Sequence, residues 1–89
     1  MQGIKLVSYT LSPFIIINRL NDAFAAYDFK YSKTFVLEKS YQWIIDSIKG
    51  DKLSLSELFD SRPDKHLNIE QLSLVIEQFE NSKIVVQTS

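Results

Sequence analysis

The chain has no cysteine among its 89 residues. That excludes disulfide staples, thiolate zinc sites and a cysteine nucleophile. Glycine is nearly as scarce, with two residues, Gly3 and Gly50, so no glycine-rich loop can cradle a phosphate. The strained Gly-x-Ser-x-Gly turn that presents a nucleophilic serine is missing too. No run of about 18 apolar residues exists, and stretches such as Phe14-Ile15-Ile16-Ile17 are far too short to cross a bilayer. The first residues, Met1-Gln2-Gly3-Ile4-Lys5, lack the anatomy of a signal peptide. With cysteine absent, these features lead us to expect a cytoplasmic protein with no membrane partner.

What is present is ordinary globular composition: 45% hydrophobic, 12% aromatic and 24% charged residues, which argues against a disordered tail. A chain this short forms one domain and buries only about 60% of its unfolded surface, so most of its apolar residues must share one core. Ten basic and eleven acidic side chains give a net charge of −1, which does not indicate a general nucleic-acid binder. The charge is uneven. Residues 1–45 carry five bases and three acids, whereas residues 46–89 carry five bases and eight acids. Glu70, Glu77 and Glu80 belong to the acidic part, either as a solvated face or as a surface that steers a basic partner.

Residues 4–11 are rich in β-branched and aromatic types and read as a strand. Ser12-Pro13 then suits a helix start, and Ile17, Leu20, Phe24, Tyr27 and Tyr31 recur at spacings of three and four, which predicts a helix from Pro13 to about Asp28. Residues 27–37 alternate like a strand but also hold caps for a following helix. We expect a loop and then a helix, with a short strand as the alternative. The next helix is expected from about Phe35 to Lys49, with Gly50 in the left-handed position after it. Leu53–Leu55 is extended. Ser54 with Glu57 fits a capping box for a short helix, Leu55 to Asp60, and Asn68 with Gln71 fits a second one for a helix over 69–82. Ile84 to Thr88 reads as a closing strand.

The expected order is therefore β-α-α-β-α-α-β in a small α+β domain, with the terminal strands in one short sheet, Leu53–Leu55 beside them, and helices covering it. The element order is similar to that of barstar-type ribonuclease inhibitors. The second half, Tyr41 to Val86, resembles the helix–strand–short helix–helix–strand order of winged-helix domains. Neither likeness supplies functional residues. The acidic inhibitory helix of the first has no counterpart in 35–49, which carries only Glu38 and Asp46.

Few groups could carry chemistry. His66 stands alone in a polar loop, with no set of metal ligands around it, and neither metal nor cofactor is expected. Carboxylates are paired only on polar faces, so enzymatic activity is not expected. The segment from Phe29 to Phe35 interleaves aromatics with bases. With Lys39 it makes Lys30, Tyr31, Lys33 and Lys39 a candidate nucleic-acid surface. Against this, the last helix carries three acids and no base on its polar side, which phosphates would repel. Trp43 lies off the stripe of Leu37, Tyr41, Ile44 and Ile48, on a line with Val36 if both are helical. It is then either covered by another layer or, with Val36, an apolar anchor for a partner.

These readings converge on a small non-enzymatic protein-binding module of the inhibitor, immunity-protein, antitoxin-like regulator or adaptor kind. Val36 and Trp43 serve as anchors, and Glu70, Glu77 and Glu80 as an acidic rim. The partner is another protein with a basic surface, or a second copy of the chain. Nucleic-acid binding through Lys30, Tyr31, Lys33 and Lys39 and a purely structural role are the alternatives.

Overall fold

The computed structural model describes residues 7–88. Within them the class is α+β: six strands in two antiparallel sheets, with three helices. The strands are β1 (Ser8–Leu11), β2 (Ile15–Arg19), β3 (Ala23–Asp28), β4 (Lys33–Glu38), β5 (Leu53–Ser54) and β6 (Val85–Thr88). The helices are α1 (Gln42–Ile48), α2 (Leu55–Asp60) and α3 (Ile69–Asn81), with a 3-10 turn over Lys39–Tyr41 leading into α1.

The terminal strands pair, as expected. β1 is the middle strand of a sheet ordered β5-β1-β6, with Ser8 opposite Thr88 and Leu11 opposite Val85. β5 joins on the other side, pairing Tyr9 with Leu53. Residues 4–6 of the predicted first strand lie outside the described residues. The order from α1 through β5, α2 and α3 to β6 is the one that the winged-helix likeness implied.

The predicted helix over 13–28 is instead a hairpin, β2 and β3. Its three-and-four spacing competes with a second pattern in the same residues. Ile15-Ile16-Ile17 is β-branched throughout, and Asn21-Asp22 is a turn dipeptide. Alternation wins: along β3, Phe24, Ala26 and Asp28 are buried while Ala23, Ala25 and Tyr27 are half-buried. Ser12 does not cap a helix. Its Oγ accepts the Phe14 N–H at 3.2 Å in a tight turn.

The second predicted helix is also shorter than its expected span. Residues 33–38 form β4, the strand alternative for 27–37, and α1 starts only at Gln42. β4 completes a meander ordered β2-β3-β4, with Phe24 opposite Leu37 and Asp28 opposite Lys33. Gly50 takes φ of 78°, the left-handed residue after the helix. Both capping boxes form. The Ser54 hydroxyl accepts from Glu57 N–H and Asn68 Oδ1 from Gln71 N–H, each reciprocated by the third-residue side chain.

One core unites the two sheets. Ile15, Phe24 and Ala26 from the inner face of the meander meet Ile44, Ile45 and Ile48 of α1, Leu58 of α2, and Leu72, Ile76 and Phe79 of α3. Ile84 and Val85 close it from the start of β6. Burying such a side chain contributes about 1.5–3 kcal/mol. Among the described residues no helix is long and apolar enough to cross a membrane.

Candidate functional site

The C-terminal end of α3 faces the inner side of the sheet near the β3–β4 turn, and the space between them is a trough. One cavity of about 330 Å³ is lined by Asp28, Tyr31, Lys33, Phe35, Asn81, Ser82 and Lys83. A neighbouring one of about 430 Å³ shares Asp28, Tyr31 and Lys83 and continues past Phe14 and Lys30 to β6. Pairing places each wall. Alternation along β4 turns Lys33, Phe35 and Leu37 inward, and Phe35 is half-buried at the trough floor. Its partner in β3 is the fully buried Ala26.

Two backbone devices hold the rim. Asp28, itself buried, accepts hydrogen bonds from the N–H groups of Lys30 at 2.9 Å and Tyr31 at 3.2 Å, which fixes the β3–β4 turn. Beyond α3, the Ile84 N–H reaches the Phe79 carbonyl and the Lys83 N–H the Glu80 carbonyl, the double closure of a Schellman motif. That motif puts Lys83 at φ of 62°. Ser32, in the β3–β4 turn, has φ of 55°. Among the described residues these are the two non-glycines in the left-handed region, and both flank the trough. Such strain costs about 1 kcal/mol or more and concentrates at functional sites.

The electrostatics favour an anion at the rim. Lys30, Lys33 and Lys83 border the two cavities, and among the described residues none of the three is ion-paired. Two carboxylates, Asp28 and Glu80, line the same cavities, so the three lysines leave a formal excess of one positive charge. Asp28 holds the turn, and Glu80 accepts from Gln87 Nε2 at 2.7 Å. Lys30 Nζ also sits 4.9 Å from the Phe14 ring centroid and 5.3 Å from that of Tyr31. Across β6 from this acid, burial and secondarily the Glu80 charge raise the Tyr9 hydroxyl above its ordinary value of 10.0.

The other residues singled out from the sequence are scattered. Lys30, Tyr31 and Lys33 come together at the trough, but Lys39 stands at the far end of β4. Glu80 lines the trough, whereas Glu70 is exposed in the first turn of α3 and Glu77 is exposed along it. Val36 and Trp43 do not share a helical line, because Val36 is on a strand. Val36 is 67% exposed on the outer face of β4. Trp43 is half-buried against the core and lines a cavity of about 230 Å³ with Tyr41, Pro63, Leu67, Leu72 and Val75. His66 is exposed, its backbone N–H donating to Asp64 Oδ1 at 2.9 Å. Sequence reasoning missed Phe35 and Lys83. The alternation over 27–37 was the signal for the first, and nothing local marks Lys83, since a lysine rarely occupies the left-handed position.

Comparison with protein-family models, curated proteins and solved structures returns no match.

Proposed function

We propose that this is a protein-binding module that captures an extended, acidic segment of another protein along the edge of β4, with the segment's side chains seated in the trough against α3. The observation that carries this reading is the free edge of β4. Six consecutive register pairs tie its other side to β3 without a bulge, and it contains no proline. Among the described residues nothing pairs with its outer edge. Such an edge presents unpaired N–H and C=O groups at the strand spacing, and a peptide that adds a strand satisfies them. Six residues span about 20 Å, enough to hold five or six residues of a partner.

The walls supply what backbone pairing lacks. Phe35 offers an apolar floor and Lys33 and Lys83 two cations, so a segment alternating apolar and acidic residues fits best. The other edges offer less: β5 is two residues long, β6 four, and no residue of β2 lines either cavity of the trough. The role is regulatory or adaptor-like and needs no reacting group in the site. Its setting is the cytoplasm. Nucleic acid is the weaker fit, because three clustered lysines are fewer than the roughly six to ten phosphate contacts of a dedicated binder.

The test is selection of binders from a random-peptide display library against the whole chain. The expected binders carry an acidic residue, lose about tenfold or more of their affinity to the double variant Lys33→Glu/Lys83→Glu, and weaken with salt. Binders indifferent to that variant, or no binders at all, would overturn the proposal. Salt-sensitive DNA binding that disappears in Lys30→Ala/Lys33→Ala would replace it with the nucleic-acid reading.

A further inference from the structure

The outer face of the meander is apolar and open. Alternation along the three strands turns Ile16 and Asn18 of β2, Ala23, Ala25 and Tyr27 of β3, and Thr34, Val36 and Glu38 of β4 to this side. The Phe29 N–H bonds to the Phe14 carbonyl at 3.0 Å, which extends the ladder by one pair. The two rings meet edge-on at 5.8 Å and close one end of the face. Leu20 stands at the other end, just past β2. Phe14, Ile16, Leu20, Phe29 and Val36 are 38–67% exposed. They make up most of the large exposed apolar side chains among the described residues, gathered on one sheet.

From this we infer that the outer face of β2-β3-β4 is a homodimer interface, on which a second copy of the chain packs sheet against sheet. Area is the first argument. At about 150–250 Å² for a fully open aromatic side chain, and somewhat less for an aliphatic one, the five side chains present roughly 450 Å². With the remainder of the face, each chain contributes roughly 600–700 Å², so two faces bury about 1,200–1,400 Å² and reach the range of stable interfaces. Charge is the second. Glu38, at one margin, is the only charged residue on the three strands' outward positions, and Lys30, its Nζ over the Phe14 ring, stands at the opposite end. An almost neutral face meets its own copy without like-charge repulsion, and it has nothing to select a charged partner. Relief is the third. Ala25, between Asn18 and Val36, and Ala23, between Leu20 and Glu38, leave the central strand low beside Val36 and Leu20, the small-beside-large contour that two interdigitating sheets require. The face is distinct from the β4 edge, whose peptide groups point sideways in the plane of the sheet, so a dimer and a captured segment are compatible.

Sedimentation equilibrium of the whole chain at a series of concentrations tests the inference. The expected result is a dimer mass at roughly 100 µM. Ile16→Glu and Val36→Glu should each give the monomer mass with an unchanged cooperative melt, because both side chains are exposed in the single chain. Leu74→Glu, on α3, should leave the dimer intact. Should a face variant fail to fold, a concentration series of amide NMR spectra of the unaltered chain reads the same interface, with shifts expected at Ile16, Ala25, Tyr27 and Val36. A monomer at all concentrations, a dimer untouched by Ile16→Glu and Val36→Glu, or shifts confined to Lys33 and Lys83 would overturn it. Ile16→Glu lies two strands from the β4 edge, so it should abolish dimers and spare peptide capture. Lys33→Glu/Lys83→Glu should do the reverse, which separates failure of one claim from failure of the other.

Discussion

The Ile84 N–H donates to the Phe79 carbonyl at 2.9 Å, and this bond holds the lysine between α3 and β6 in left-handed backbone. Both partners are buried, so the closure is anchored in the core and the strain falls on Lys83. Glycine would occupy this position without a Cβ clash. Lys83→Gly should therefore raise stability by up to about 1 kcal/mol, read as a higher melting temperature, while it weakens capture of an acidic peptide. A variant with lower stability would show that the lysine side chain, and not the strain, dominates at this site.

Asp28 is the second support of the trough. Removing its carboxylate leaves two turn N–H groups without their acceptor, so Asp28→Ala should cost about 1–3 kcal/mol in denaturant unfolding. Asp28→Asn keeps one acceptor oxygen and should cost less. Equal losses in both variants would mean that the charge, and not the hydrogen bonds, matters.

Stability should fall in alkali through Tyr9. Burial, and then the Glu80 charge, place its folded pKa above the ordinary 10.0, so folding favours the protonated hydroxyl. The contribution is complete below about pH 10 and is lost as pH rises through the folded pKa. Melting temperatures of the unaltered chain and of Tyr9→Phe from pH 8 to 11 should diverge at the upper end, with the phenylalanine variant less sensitive. Parallel curves would remove Tyr9 from the account.

Trp43 is expected to behave as a packing residue. It is half-buried against the core, so Trp43→Ala should destabilise the fold by about 2–4 kcal/mol, and the fluorescence of the intact protein should be only partly quenched by iodide. An unchanged melt with free quenching would restore it as a partner anchor.

The second half of the fold was legible because its signals are local. Ser54–Glu57 and Asn68–Gln71 fix the starts of α2 and α3 through hydrogen bonds within one turn, and Gly50 ends α1. The first half was misread where two periods overlap. Phe24 and Tyr27 satisfy a helical stripe, yet across the strands Phe24 lies opposite Arg19 and Leu37, a pairing visible only once the chain is folded. The candidate site was half legible for the same reason. Lys30, Tyr31 and Lys33 are neighbours in sequence, but Lys83 reaches them only because the end of α3 faces the β3–β4 turn in the folded chain.

Hydrogen exchange along β4 reads strand addition at this edge residue by residue. The labelled chain is measured alone and with an acidic peptide chosen by display. Capture on the edge predicts that the outward-facing amides between Lys33 and Glu38 slow by about tenfold or more at saturation, as their N–H groups gain strand partners. Protection confined to α3 around Glu70 and Glu77, or no change along β4 at saturating peptide, would contradict it.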